Sequence, residues 1–130
     1  MKFKILFTVI LFMFASLGSA DELKNAVESK DRSEKNVVRD EFRKPYETLS
    51  FFQLEPNMTI LELSPGGGWY TEILANFVRK SGNLIAAHFS KDSDRAYFRN
   101  SRINFEKKVK ENNLYEKVTV VDLNSKLSDP

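Results

Sequence analysis

The 130-residue sequence contains no cysteine. That excludes disulfides, a thiolate nucleophile, thiolate-bound zinc and a lipid anchor on cysteine. Histidine and tryptophan occur once each, as His88 and Trp69. Glycine is scarce at five residues, yet three of the five are consecutive, Gly66-Gly67-Gly68. Charge of one sign is also nearly absent. The formal net charge is +2, and Lys2 and Lys4 supply the whole excess. Beyond them basic and acidic residues balance at 18 each, which gives no electrostatic case for nucleic acid or anionic lipid as a partner. Only one long hydrophobic run is present, Ile5 to Ala15, interrupted by Thr8 alone. It is shorter than the roughly 20 residues a comfortable membrane span requires. With a mean hydropathy of -0.39, the chain as a whole does not read as a membrane protein.

What is present begins with an export signal. Lys2 and Lys4 form a positive n-region, Ile5 to Ala15 the apolar segment, and Gly18 and Ala20 place small residues where a signal peptidase cleaves. Residues 1–20 are therefore expected to be a cleaved leader. The mature chain then starts near Asp21, is periplasmic or secreted, and keeps no stable membrane span. Residues 21–36 are rich in charge and read as a solvated helix or flexible arm. Residues 37–130 form the remaining unit, one domain at most.

In that unit Val38, Phe42, Tyr46 and Leu49 recur at helical spacing, with Pro45 predicting a break after Lys44 and a new helix start. Met58 to Leu63 reads as a buried strand, and Ser64 to Gly68 as a loop. Trp69, Tyr70, Ile73, Leu74, Phe77 and Val78 fall on one helical face, with Gly82 as its stop. Asn83 to Phe89 predicts a second strand. Ser93 or Asp94 could cap a helix carrying Phe98, Phe105 and Val109, and Lys117 to Leu123 predicts a third strand. No internal repeat is visible. Strand, glycine loop, helix, strand, helix, strand argues for an α/β domain with a parallel sheet and right-handed crossovers. About three strands are few for such a sheet, so the pattern predicts an incomplete Rossmann-like, doubly wound domain.

A glycine loop after the first strand of an open α/β sheet opens onto the crevice where ligands of this class bind. Glycine permits positive φ and lets a ligand approach the backbone. Gly68 is followed by Trp69 rather than Lys-Ser/Thr, which excludes a phosphate-binding P-loop. A dinucleotide fingerprint fits poorly, because Thr71 stands where its third glycine belongs and the second strand ends His88-Phe89-Ser90, without an acid.

Residues 60–68, ILELSPGGG, resemble the first motif of class I S-adenosylmethionine-dependent methyltransferases, in which an acid and alternating glycines follow an apolar strand. Here Glu62, Ser64, Gly66 and Gly68 take those positions, with serine replacing the first glycine. The longer stretch RDEFRKPYETLSFFQLEPNMTILELSPGGGWYTEILA looks like a group of exported methyltransferase-like proteins with an R-x-P-x-x-x-L-x-F-F segment before E-L-x-P-G-G-G-W-Y-T. The resemblance runs from about Arg39 to Leu123. It implies a Rossmann-like fold, S-adenosylmethionine as cofactor, and methyl transfer to an acceptor the sequence does not identify. It implies that Gly66, Gly67 and Gly68 lie against the methionyl part of the cofactor and that Glu62 sits near its amino group. His88 stands where the class usually places an acid on the ribose hydroxyls, and Asp92 and Asp94 follow a few residues later. Asp122 falls where the class often contacts the adenine amine.

Each of these residues also has a plainer reading. His88 has no acid at a partnering spacing, which favours a packed polar residue over a general base. Asp122 could be a surface aspartate at a strand end. Tyr70 is expected in the core, Trp69 is open between core and ligand, and Arg39, Arg43 and Lys44 are expected on a solvated basic face. The acceptor-side residues of the class mostly follow a fourth strand, so this chain supplies a cofactor half. Two functions from different classes follow: a methyltransferase represented by its N-terminal half, and an exported, non-catalytic binding or scaffold domain that keeps the loop.

Overall fold

The structure is a computed structural model and describes residues 18–123. The expected leader lies outside the described residues up to residue 17. Residues 18–27 form helix α1. Three short helices follow: α2 (Glu34–Val37), α3 (Asp40–Arg43) and α4 (Pro45–Phe51). Then come β1 (Thr59–Leu63), α5 (Trp69–Val78), β2 (Asn83–His88), α6 (Ala96–Lys110), a 3-10 turn (Asn113–Tyr115) and β3 (Val118–Asp122).

The strands form one parallel sheet in the order β1-β2-β3. Glu62 pairs with Ala86, and His88 pairs with Asp122, so the three carboxyl ends lie side by side. His88 shares a face with Leu84, so α6, whose Phe105 packs on the His88 ring, lies on the same face of the sheet as α5. That face carries Ile60, Leu84 and Val118, which join Ile73, Leu74, Phe77 and Val78 in the core. Phe105 of α6 packs on the His88 ring with centroids 5.0 Å apart. Among the described residues the opposite face is open at its edges. Leu61 is 57% and Leu63 63% exposed, and Val121 and Leu123 are also exposed, whereas Ala87 of the central strand is buried and Ile85 half-buried. Strand residues alternate between faces, so the side without helices leaves the apolar residues of the outer strands in water. Among the described residues no helix is long and apolar enough to cross a membrane.

Several expectations change. Neither Ser93 nor Asp94 caps α6, whose N-cap is Arg95 with no side-chain cap hydrogen bond, and β1 is not a buried strand, its residues alternating between exposed and half-buried. The segment expected as a solvated arm is docked: Leu23, Ala26, Arg32 and Asn36 are all buried. Arg32 binds both Asp40 carboxylate oxygens at 2.6 and 2.8 Å and the Val27 carbonyl at 2.6 Å. The proposed apolar stripe of the next segment fails except at its end. Val38 and Phe42 are exposed and only Leu49 is buried, because the segment breaks at Val38-Arg39 into two short helices besides the expected break at Lys44, whose φ is 45°. Gly82 ends α5 for a different reason from a left-handed cap. Its φ is not positive, but a Cβ there would stand 2.4 Å from the Met58 carbonyl and 2.6 Å from that of Pro56.

Candidate functional site

The loop from Ser64 to Gly68 leaves the carboxyl end of β1 in an alternating backbone. Ser64, Gly66 and Gly68 have φ of 53°, 57° and 83°. This is the left-handed region, where a Cβ costs about 1 kcal/mol. Ser64 donates its N–H to Ala87 at 2.9 Å, and Gly68 closes the turn onto the Pro65 carbonyl at 2.9 Å. The three glycines have different jobs. A Cβ on Gly68 would meet Lys108 Nζ and Phe105 at 3.2 Å, whereas at Gly66 and Gly67 nothing lies within 4 Å. Gly67 thus has neither positive φ nor a neighbour on its Cβ side, where a ligand could approach, while its carbonyl is held by Lys108.

His88 lies beneath this loop, fully buried. Its Nδ1 accepts from Phe89 N–H at 2.8 Å, which makes Nε2 the protonated nitrogen. Nε2 then donates to the Gly66 carbonyl at 3.1 Å. Burial holds its pKa below the ordinary histidine range, with the Arg102 charge adding in the same direction, so the ring is neutral. Both nitrogens are spent inside the fold. His88 therefore offers nothing to a ribose diol, and the packed reading of this residue holds.

Asp122 is half-exposed and bound to Arg102 at 2.8 Å. Arg102 is 3% exposed and ties the strand ends together. Besides Asp122 it binds the Phe89 carbonyl at 3.0 Å, the Val121 carbonyl at 3.1 Å and Glu106 at 2.8 Å. The Arg102 hydrogen bond holds the Glu106 pKa below the usual carboxylate range. Asp92 and Asp94 lie exposed in the loop before α6.

Glu62 is partly buried and accepts from Thr71 Oγ1 at 2.7 Å. Burial pushes its pKa up to about 7, against the Thr71 hydrogen bond and the Lys108 charge. Glu72, one turn further, behaves in the opposite way. It is 1% exposed. Burial opposes its ionisation, but the Lys108 ammonium and the Ser33 hydroxyl outweigh burial and lower its pKa. Lys108 Nζ lies 2.7 Å from Glu72 Oε1 and donates to the Gly67 carbonyl at 3.1 Å. Ser33 binds the same carboxylate through Oγ at 2.8 Å and its N–H at 3.2 Å. One ion pair thus joins arm, loop, α5 and α6.

Trp69 is settled as core: it is 3% exposed and its Nε1 donates to the Asn36 carbonyl at 2.8 Å. Tyr70 stacks edge-on to it at 4.4 Å and is half-buried. Arg43, expected on a solvated face, stacks over Trp69 at 4.5 Å.

Beside the loop lies a cleft of about 640 Å³, walled by Arg32, Ser33, Gly66, Gly67, Glu72, Phe105, Lys108 and Tyr115. Of the seven residues the sequence singles out, only Gly66 and Gly67 reach it. Glu62, Ser64, Gly68, His88 and Asp122 do not line it. The sequence pointed to neither Glu72, Lys108 nor Arg102. The one signal was a charge in line with apolar helix residues, as at Glu72, three residues from both Trp69 and Ala75. Comparison with protein-family models, with curated proteins and with solved structures finds no match to this chain.

Proposed function

We propose that this chain is the cofactor-binding half of an S-adenosylmethionine-dependent methyltransferase, exported by its N-terminal leader and acting on an acceptor still to be found. The observation that carries the reading is the loop. It follows the first strand of a parallel sheet, alternates left-handed residues at Ser64, Gly66 and Gly68, and leaves Gly66 and Gly67 uncovered. These are the positions the motif resemblance assigns to the cofactor's methionyl end.

The fit is uneven along that cofactor. Its amino-acid end suits the open glycines and Glu62, whose carboxyl a neighbouring ammonium would drive to the ionised form. Its ribose end finds no partner in His88. The chemistry supplied on binding is that of a sulfonium, whose methyl carbon is open to displacement. The chain's own part is to bind and orient, with Gly66 and Gly67 giving close backbone approach and the Lys108–Glu72 pair holding the loop.

The scaffold reading has one specific observation in its favour: His88 and Asp122 are both committed to internal bonds. The two separate in a titration monitored by Trp69 fluorescence, since Trp69 is the sole tryptophan and follows the loop directly. S-adenosylmethionine should give a saturable change that Gly67→Asp abolishes, while NAD gives none. A folded chain indifferent to both ligands would leave the scaffold reading standing.

A further inference from the structure

Among the described residues β1 is an edge strand that pairs with β2 alone. The backbone groups of successive strand residues point to opposite edges. Which ones face β2 follows from the two ends of the pairing. The Met58 carbonyl accepts from Asn83 N–H at 3.1 Å, and Ser64 N–H donates to the Ala87 carbonyl at 2.9 Å. The even-numbered residues therefore bond β2. The N–H and C=O groups of Thr59, Leu61 and Leu63 point away from it, and among the described residues nothing else in the chain bonds them.

An open edge usually carries something that keeps other strands off, such as a charge, a proline, a bulge or a covering segment. The opposite edge, β3, follows Lys117 and ends in the exposed Asp122. The outward residues of β1 are all exposed and uncharged, and two of them are leucines.

This outward set is its own complement. A two-fold axis at Leu61 lays two copies of β1 antiparallel, with Leu61 opposite Leu61 and Thr59 opposite Leu63. Each is a hydrogen-bonded pair, in which the residues exchange both backbone bonds. Glu62, the one charge on β1, then faces Ile60, so no like charges are opposed. Moving the axis to Glu62 would set two carboxylates against each other. Moving it to Ile60 would place Leu63 against Asn57, outside the strand.

We propose that a second copy of this chain pairs with the free edge of β1, centred on Leu61, and joins the two sheets into one. Leu61 then packs on its own counterpart instead of standing in water. Pairing along one strand buries far less than the roughly 1,200 Å² of a stable interface, so the association is weak and grows with concentration. The proposal is independent of the cofactor reading.

The experiment is sedimentation equilibrium on the chain recovered after export, with amide hydrogen exchange over the same concentrations. The chain should pass from monomer to dimer as concentration rises. The Thr59, Leu61 and Leu63 amides should become protected with the dimer, while Ile60 and Glu62, held by β2, are protected throughout. Leu61→Pro removes one outward donor and no bond to β2, and should abolish the dimer. Leu61→Lys keeps the backbone intact should proline disturb the strand. It sets two ammonium groups opposite each other and should weaken the dimer about fivefold or more. A monomer at every concentration would overturn the proposal, as would a dimer indifferent to both variants. Protection of the three outward amides at every dilution would overturn it too, by showing that the chain covers this edge itself.

Discussion

Ser64 sits at a φ of 53° although it carries a Cβ. It does so where the resembling motif has its first glycine. Ser64→Gly should therefore stabilise the fold by about 1 kcal/mol, less the extra chain entropy that glycine adds to the unfolded state. A urea or thermal unfolding curve reads this directly, and a loss of stability would mean the Ser64 side chain makes a contact worth more than its strain. Glu62 gives a pH signature. Its folded pKa of about 7 lies above the ordinary 4.5. Between those values the folded state holds a proton that the unfolded state has released. Stability from this group thus falls as pH rises from about 4.5 to about 7 and levels off above. Glu62→Gln should flatten that slope in unfolding curves taken at pH 5 and pH 7.5. Glu72 has the opposite sign, since its pKa is lowered and its contribution disappears only as the medium becomes acidic.

At the scale of elements, the glycines separate into tolerant and intolerant positions. Gly67→Ala should fold as the parent does, because its Cβ meets nothing. Gly82→Ala should cost about 1–3 kcal/mol, because two carbonyls stand where the methyl would go. Circular dichroism melts of the pair check both. Arg102→Met should cost about 3 kcal/mol or more, since it strips Asp122, Glu106 and two carbonyls of their donor at once. Much of the element order was legible in the sequence. The three strands, α5 with its Trp69-to-Val78 face, and the restart at Pro45 all followed from apolar spacing and proline. What spacing could not supply was reach across the chain. Lys108 meets Gly67 over 41 residues, and Ser33 meets Glu72 over 39. A lysine and a glutamate on two helices read alike whether they face water or each other. The stripe through Val38 and Phe42 failed for the converse reason, since periodicity presumes one helix up to Lys44 and the chain breaks at Val38-Arg39 into two short ones.

Among the described residues one helical layer covers one face of a three-stranded parallel sheet, and the outer strands of the other face are open. Leu61 in the middle of β1 and Leu63 at its end are exposed, in a parallel strand where apolar residues are normally covered on both sides. Leu63→Lys should accordingly change stability by no more than about 0.5 kcal/mol, an unusual result for a leucine in a parallel strand, and checkable in the same melts. The proposed function depends on whether the glycine loop binds S-adenosylmethionine. One measurement addresses that most directly: calorimetric titration of the folded chain with S-adenosylmethionine, with Gly67→Asp in parallel. Saturable heat with one site per chain, absent in the variant, is the expected result. A chain folded by circular dichroism that takes up no S-adenosylmethionine at any concentration reached would contradict the account.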